Sequence, residues 1–183
     1  MTESDGDETP DAELIAAWKA GDQRAASRLV ERHANALARF AASSGTWDPA
    51  EVDEIVQDTF VKAFGSIDSF RGESTWRTWL ISIERRLMLD RRRAGRRRRE
   101  EEIDDTTPAT GGTPLDHLVA GETEQRVRSA LETLSPTQRD VFVLRVAEGL
   151  SYRDIARIVD TTEGAARVHY HNAMSAIKER LDV

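Results

Sequence analysis

The chain has 183 residues, of which 39% are hydrophobic, 32% charged and 6% aromatic, with a formal net charge of −7. That length suits one medium domain or two small ones, with modest cores and an ionic surface. There is no cysteine, which excludes a disulfide scaffold, a thiolate metal site and a thiol nucleophile, and no run approaches the roughly 18 apolar residues of a membrane span.

The chain opens with Glu3, Asp5, Asp7, Glu8, Asp11 and Glu13 and no base over residues 1–13. It lacks the basic start and apolar stretch of a secretory signal, so a cytoplasmic protein with a solvated acidic tail over 1–11 is expected, with no insertion into a membrane. Apolar residues at three-to-four spacing then predict four helices over 12–95. The first carries Leu14, Ile15 and Trp18 and closes at Gly21. The second follows the N-cap Asp22 and carries Ala26, Leu29, Val30, His33, Leu37, Phe40 and Ala41. Asp48-Pro49 supplies N-cap and first helical position for the third, with Val52, Ile55, Val56, Phe60, Ala63 and Phe64. Ser74 can cap the fourth, which takes Trp76, Trp79, Leu80, Ile83 and Leu87 into a block of arginines.

Charge is segregated from there on. Residues 85–99 hold nine arginines against the single acid Asp90, and residues 100–105 hold five acids and no base. Residues 96–121 add two prolines and a Gly-Gly pair; such a stretch cannot bury enough apolar surface to fold alone and reads as a tether. Helical periodicity returns over 122–183. Val127, Ala130, Leu131 and Leu134 form one face, and Ser135-Pro136 restarts the chain for Val141, Phe142, Leu144 and Val146, up to Gly149. Ser151 with Asp154 makes a capping-box-like start for Ile155, Ala156, Ile158 and Val159. Asp160-Thr161-Thr162 leads to a last helix with Ala166, Tyr170, Ala173, Ile177 and Leu181. Two short helices on a tight turn fit a helix-turn-helix as well as a plain αα-hairpin. No alternating strand is present, so the expected fold is all-α: two small helical domains on a flexible linker.

The chemistry offered is that of binding. His33, His117, His169 and His171 form no ligand set, His33 lies in its helix's apolar stripe as a core or boundary histidine, and no phosphate-cradling glycine loop or nucleophile motif occurs. No catalytic residue, metal or cofactor is therefore assigned, and the chain is read as not an enzyme. Arginines neutralise phosphates, and aromatic rings stack on unpaired bases at about 1–3 kcal/mol each, so the arginine-rich fourth helix favours nucleic acid. Trp79, Leu80 and Ile83 read as core, whereas Trp76 can face core or loop.

Two stretches carry a family signature. VDEIVQDTFVKAFGSIDSFRGESTWRTWLISIERRLMLDRRR resembles conserved region 2 of sigma factors of the extracytoplasmic-function type, and LSPTQRDVFVLRVAEGLSYRDIARIVDTTEGAARVHYHNAMSAIKERL resembles their region 4. The resemblance implies a subunit that binds core bacterial RNA polymerase, recognises the −10 and −35 promoter elements and assists melting. It implies that Asp53, Glu54, Gln57 and Asp58 dock on the clamp helices of the largest catalytic subunit. Phe70, Arg71, Ser74, Thr75, Trp76, Arg85, Arg86 and Arg91 would meet the −10 element. Thr162, Glu163, Gly164, Arg167 and His171 would meet the −35 element, with the second-largest subunit's flap as a further contact. Relatives commonly carry glycine where Asp160 stands, basic residues where His169 and Asn172 stand, and asparagine at Arg86. Many are held by an anti-sigma factor, which no residue here identifies. The alternative is a diverged sigma-like helix-turn-helix DNA-binding regulator that does not initiate transcription.

Overall fold

The computed structural model describes residues 9–45, 48–102 and 129–181; the acidic tail and most of the tether lie outside the described residues. The helices with both ends among the described residues are, in order, α1 (Asp11–Lys19), α2 (Gln23–Ser44), α3 (Pro49–Gly65), α4 (Trp76–Glu102), α5 (Pro136–Val146), α6 (Tyr152–Val159) and α7 (Glu163–Leu181), with a short 3-10 turn at Ile67–Ser69. Residues 129–132 are also helical, and no strand occurs among the described residues.

Local sequence explains the helix starts. The Asp22 carboxylate accepts from the Arg24 amide. Asp48 and Glu51 close a reciprocal capping box at 2.8 and 3.0 Å, with Pro49 in the first turn. Ser135 and Gln138 do the same ahead of α5. Ser151 accepts from the Asp154 amide ahead of α6, and Thr162 from the Ala165 amide ahead of α7. The cap of α4 is Thr75 rather than Ser74: its hydroxyl accepts from the Thr78 amide at 3.1 Å, while Ser74 Oγ turns to the Thr75 carbonyl. Either hydroxyl suits the role, and burial of Trp76 fixes the register one residue later.

α4 is also longer than expected, running to Glu102 through the first residues of the predicted tether. Arg and Glu are strong helix formers, and one interior glycine, Gly95, costs only about 1 kcal/mol, too little to end a helix whose first four turns are anchored.

Helices α1–α4 pack around Leu14, Leu29, Leu37, Phe40, Ile55, Trp76 and Leu80, all buried. His33 is buried among them, its Nε2 2.8 Å from Asp11, which ties α1 to α2. Burial lowers the imidazole's pKa, partly offset by Asp11. Helices α5–α7 bury Val141, Leu144, Ile155 and Ala166, and the last turns of α7 pack Ala173 and Ile177 on Ala130 and Leu134. The two groups are not held apart. α4 lies on α6 and α2 on α5, and one apolar cluster runs from Leu14 through Ile81 to Leu144 and Ile155.

Candidate functional site

Three surfaces gather the polar residues singled out by sequence. The first is a ridge on α3. Val52, Ile55, Thr59 and Phe60 face inward, leaving Asp53, Glu54, Gln57 and Asp58 exposed side by side. Arg91 of α4 reaches across to Glu54 (3.2 Å) and Asp58 (2.7 Å). Arg91 therefore belongs to this ridge in the structure, not to the loop expected to meet the −10 element. Val61, one turn on and 67% exposed, sets an apolar side chain beside the acids. Sequence reading passed it over, because a single valine among polar neighbours disturbs no periodicity.

The second surface is a cleft of about 440 Å³ beside the Ser66–Thr75 loop. Gly72 takes a positive φ of 71°, which turns the loop back toward α4. Phe70, Arg71, Ser74 and Arg86 line this cleft as expected, joined by Ser69, Trp79, Ser82, Arg157 and Ile158. The loop is held from below by rings: Phe70 meets Trp76 edge-on at 5.2 Å and Trp79 at 5.3 Å, and Trp76 lies 4.9 Å from Trp79. Trp76 is only 2% exposed, so it supports Phe70 from the core and does not itself line the cleft. Trp79, expected in the core, is half-buried and takes that place. Thr75 is engaged as a helix cap. Arg157, from α6, donates to the Glu73 carbonyl and closes one side.

Arg85 does not line the cleft. It lies on the other side of α4, where its Nε donates to Asp140 Oδ2 of α5 at 2.8 Å; the two residues are 9% and 1% exposed. Burial pushes the Asp140 carboxyl up, with the Arg85 guanidinium pulling it back. Nearby, the buried Glu148 forms ion pairs with Arg77 and Arg39. No sequence signal marks these pairs, since they join residues more than fifty positions apart.

The third surface is the outer face of α7, with Glu163, Gly164, Arg167 and His171 exposed and Thr162 capping its start. Glu163 pairs with Arg167 one turn on, and the Arg167 guanidinium sits 5.2 Å from the Tyr152 ring centroid, with Arg145 at 4.8 Å. Val168, next to Arg167 in α7, is 58% exposed. The turn into α7 runs through Asp160 at φ 56°, a left-handed conformation that favours glycine. Among the described residues no cluster of His, Asp or Glu could hold a metal ion, and no helix is long and apolar enough to cross a membrane.

Comparison with known proteins finds matches to two parts of the chain. Residues 29–98 match the family model for sigma-70 region 2, and residues 124–177 match that for sigma-70, region 4. The ECF RNA polymerase sigma-E factor of Haemophilus influenzae is 31% identical over 181 residues, spanning 93% of this chain and 95% of its own length. That of Escherichia coli K12 is 30% identical over 185 residues, spanning 93% and 94%. Among solved structures, the sigma factor RpoE of Bartonella quintana, in complex with the anti-sigma factor NepR, superposes with a TM-score of 0.72 at 27% identity, over 86% of this chain and 96% of that one. CnrH in complex with the cytosolic domain of CnrY gives 0.71 at 30% identity, over 94% and 97%.

Proposed function

The chain belongs to the extracytoplasmic-function group of sigma-70 factors, and from that membership we propose how its surfaces divide the work of promoter-specific transcription initiation. The factor directs the polymerase to promoters; the polymerase supplies the chemistry. In this reading residues 12–95 form the unit that binds core enzyme and reads the −10 element, residues 122–183 read the −35 element, and residues 96–121 connect them.

The observation that carries the assignment is the cleft beside the Ser66–Thr75 loop. Opening duplex DNA costs about 1.4 kcal/mol of stacking per base-pair step, and a factor without a nucleotide-hydrolysis motif must offset this by holding the exposed strand. The cleft volume of about 440 Å³ suits one unstacked base. Phe70 and Trp79 offer ring surface, Ser74 offers a hydroxyl, and Arg71 and Arg86 are placed for the flanking phosphates. The α3 ridge of Asp53, Glu54, Gln57 and Asp58 is the proposed contact for the polymerase clamp helices, with Val61 as its apolar element, and the flap would receive the second unit. On α7, Glu163 can accept from cytosine N4 and Arg167 can donate to guanine, with Thr162, Gly164 and His171 on the same approach; the Glu163–Arg167 pair must exchange partners to do so. An anti-sigma factor is the proposed regulator, because RpoE was solved with one.

The test is reconstitution. Purified chain plus core polymerase should give discrete run-off transcripts from genomic fragments that core enzyme alone leaves silent. Glu54→Lys with Asp58→Lys should abolish co-purification with the polymerase while the helical circular-dichroism signal is retained. Duplex binding without polymerase association would refute the assignment.

A further inference from the structure

Arg77, Arg85 and Arg92 fall on one side of α4, in step with the buried Ile81 and Met88, because 77, 81, 85, 88 and 92 recur at three-to-four spacing. α2 adds Arg39 to this side. Two carboxylates, Asp140 of α5 and Glu148 of the turn that follows it, cover this side. Asp140 receives Arg85 at 2.8 Å, and Glu148 pairs with both Arg77 and Arg39. Arg92 donates to the Ser44 carbonyl and feels the Asp140 charge. A guanidinium binds a carboxylate and a phosphate with the same planar fork of donors. We propose that this arginine face is a binding site for the phosphate backbone of promoter DNA, and that Asp140 and Glu148 fill it as phosphate stand-ins while the two helix groups are docked. The inference rests on the sigma-factor reading.

Size forces the exchange. Elements centred near −10 and −35 lie about 25 base pairs apart, which at 3.4 Å per step is about 85 Å. A compact body of 183 residues has a radius of gyration of only about 16 Å. The docked form therefore cannot hold both elements at once, so α5–α7 must leave α4, and their departure uncovers the arginines on the side of α4 that faces away from the cleft. The contact is suited to being broken. Buried ion pairs gain little over the hydration they forfeit, and undocking returns water to both partners together. Asp140 and Glu148 thus set which surfaces meet without locking them.

Because the chain lacks cysteine, dyes can be placed through Glu31→Cys and Lys178→Cys, both exposed sites, to report docking by energy transfer. Affinity of the holoenzyme for forked promoter DNA is then measured from 50 to 200 mM salt. Asp140→Asn with Glu148→Gln should lower transfer in the free chain and leave DNA affinity equal or higher. Arg39→Ala with Arg77→Ala should also lower transfer, yet weaken DNA binding, because it removes the phosphate contacts as well as the docking contacts. Two lost contacts reduce the log–log salt slope by about 1.8, so the ratio of unaltered to variant affinity changes about 12-fold across that range. Replacement by lysine should restore most of the slope. If the Arg→Ala pair raises DNA affinity as the acid variant does, or leaves the slope unchanged, the arginines only hold the helix groups together and the proposal is wrong. Failure of the unaltered chain to join the polymerase would instead refute the sigma assignment itself.

Discussion

Glu84 lies in the middle of α4 with no exposed surface, and neither carboxyl oxygen has a hydrogen-bond partner. Burial raises its pKa well above the ordinary carboxyl range. The folded chain therefore keeps a proton that the unfolded chain releases above about pH 4.3. Stability falls as pH rises from there until the folded-state pKa is passed, by up to about 1.4 kcal/mol per pH unit. Glu84→Met keeps the length of the side chain and removes both the titration and the unpaired oxygens. Near pH 4 the gain should be about 1–3 kcal/mol, the usual cost of an unsatisfied buried polar group, and it should widen toward pH 7. In a chain of this size, 2 kcal/mol corresponds to about 4–8 °C in Tm. Thermal unfolding of both proteins, followed by circular dichroism at pH 4, 5, 6 and 7, checks the reasoning. A melting difference that stays constant over that range, or a variant that melts lower throughout, would refute it. Glu84→Gln should gain less but flatten the pH dependence equally.

Trp76→Ala should cost about 3–5 kcal/mol in urea unfolding, as expected for a buried aromatic, whereas Phe70→Ala, being half-buried, should cost about 1 kcal/mol while abolishing promoter opening in permanganate footprints. Asp160→Gly should equal or exceed the unaltered chain in stability, and Asp160→Ala should lose about 1 kcal/mol, because only glycine takes the left-handed turn without strain; chemical denaturation distinguishes them. On the proposed reading, the exposed Val168 would meet a thymine methyl in the major groove. Val168→Ala should weaken −35 binding about fivefold, or about 1 kcal/mol. Exchanging the contacted thymine for uracil should produce the same loss in the unaltered chain and no further loss in the variant.

Helix existence was legible in the sequence because it is local. Apolar periodicity and the caps at Asp22, Asp48 and Ser151 each depend on residues a few positions apart, and each stands where expected. The length of α4 was not, since its opposed charge runs resemble those of a tether while their helix propensity is high. The cleft was partly legible. Phe70, Arg71, Ser74 and Arg86 meet there, but the roles of Trp76 and Trp79 were exchanged, because helical spacing does not say which of two neighbouring tryptophans lies deeper. Arg85 and Arg91 were assigned by charge alone, and charge does not reveal that one is met by Asp140 and the other by Glu54 and Asp58. Those partners lie 55 and more than 30 residues away, beyond any local pattern.

The ion pairs between α4 and α5 bear on how such factors can be recombined. A hybrid that joined the opening half of one homologue to the closing half of another would retain its carboxylates but could lose the guanidiniums they face. A stranded interior charge costs about 3–5 kcal/mol, more than most exchanges of surface sequence. Matching the residues at 77 and 85 to those at 148 and 140 should therefore decide which hybrids can still adopt the docked form.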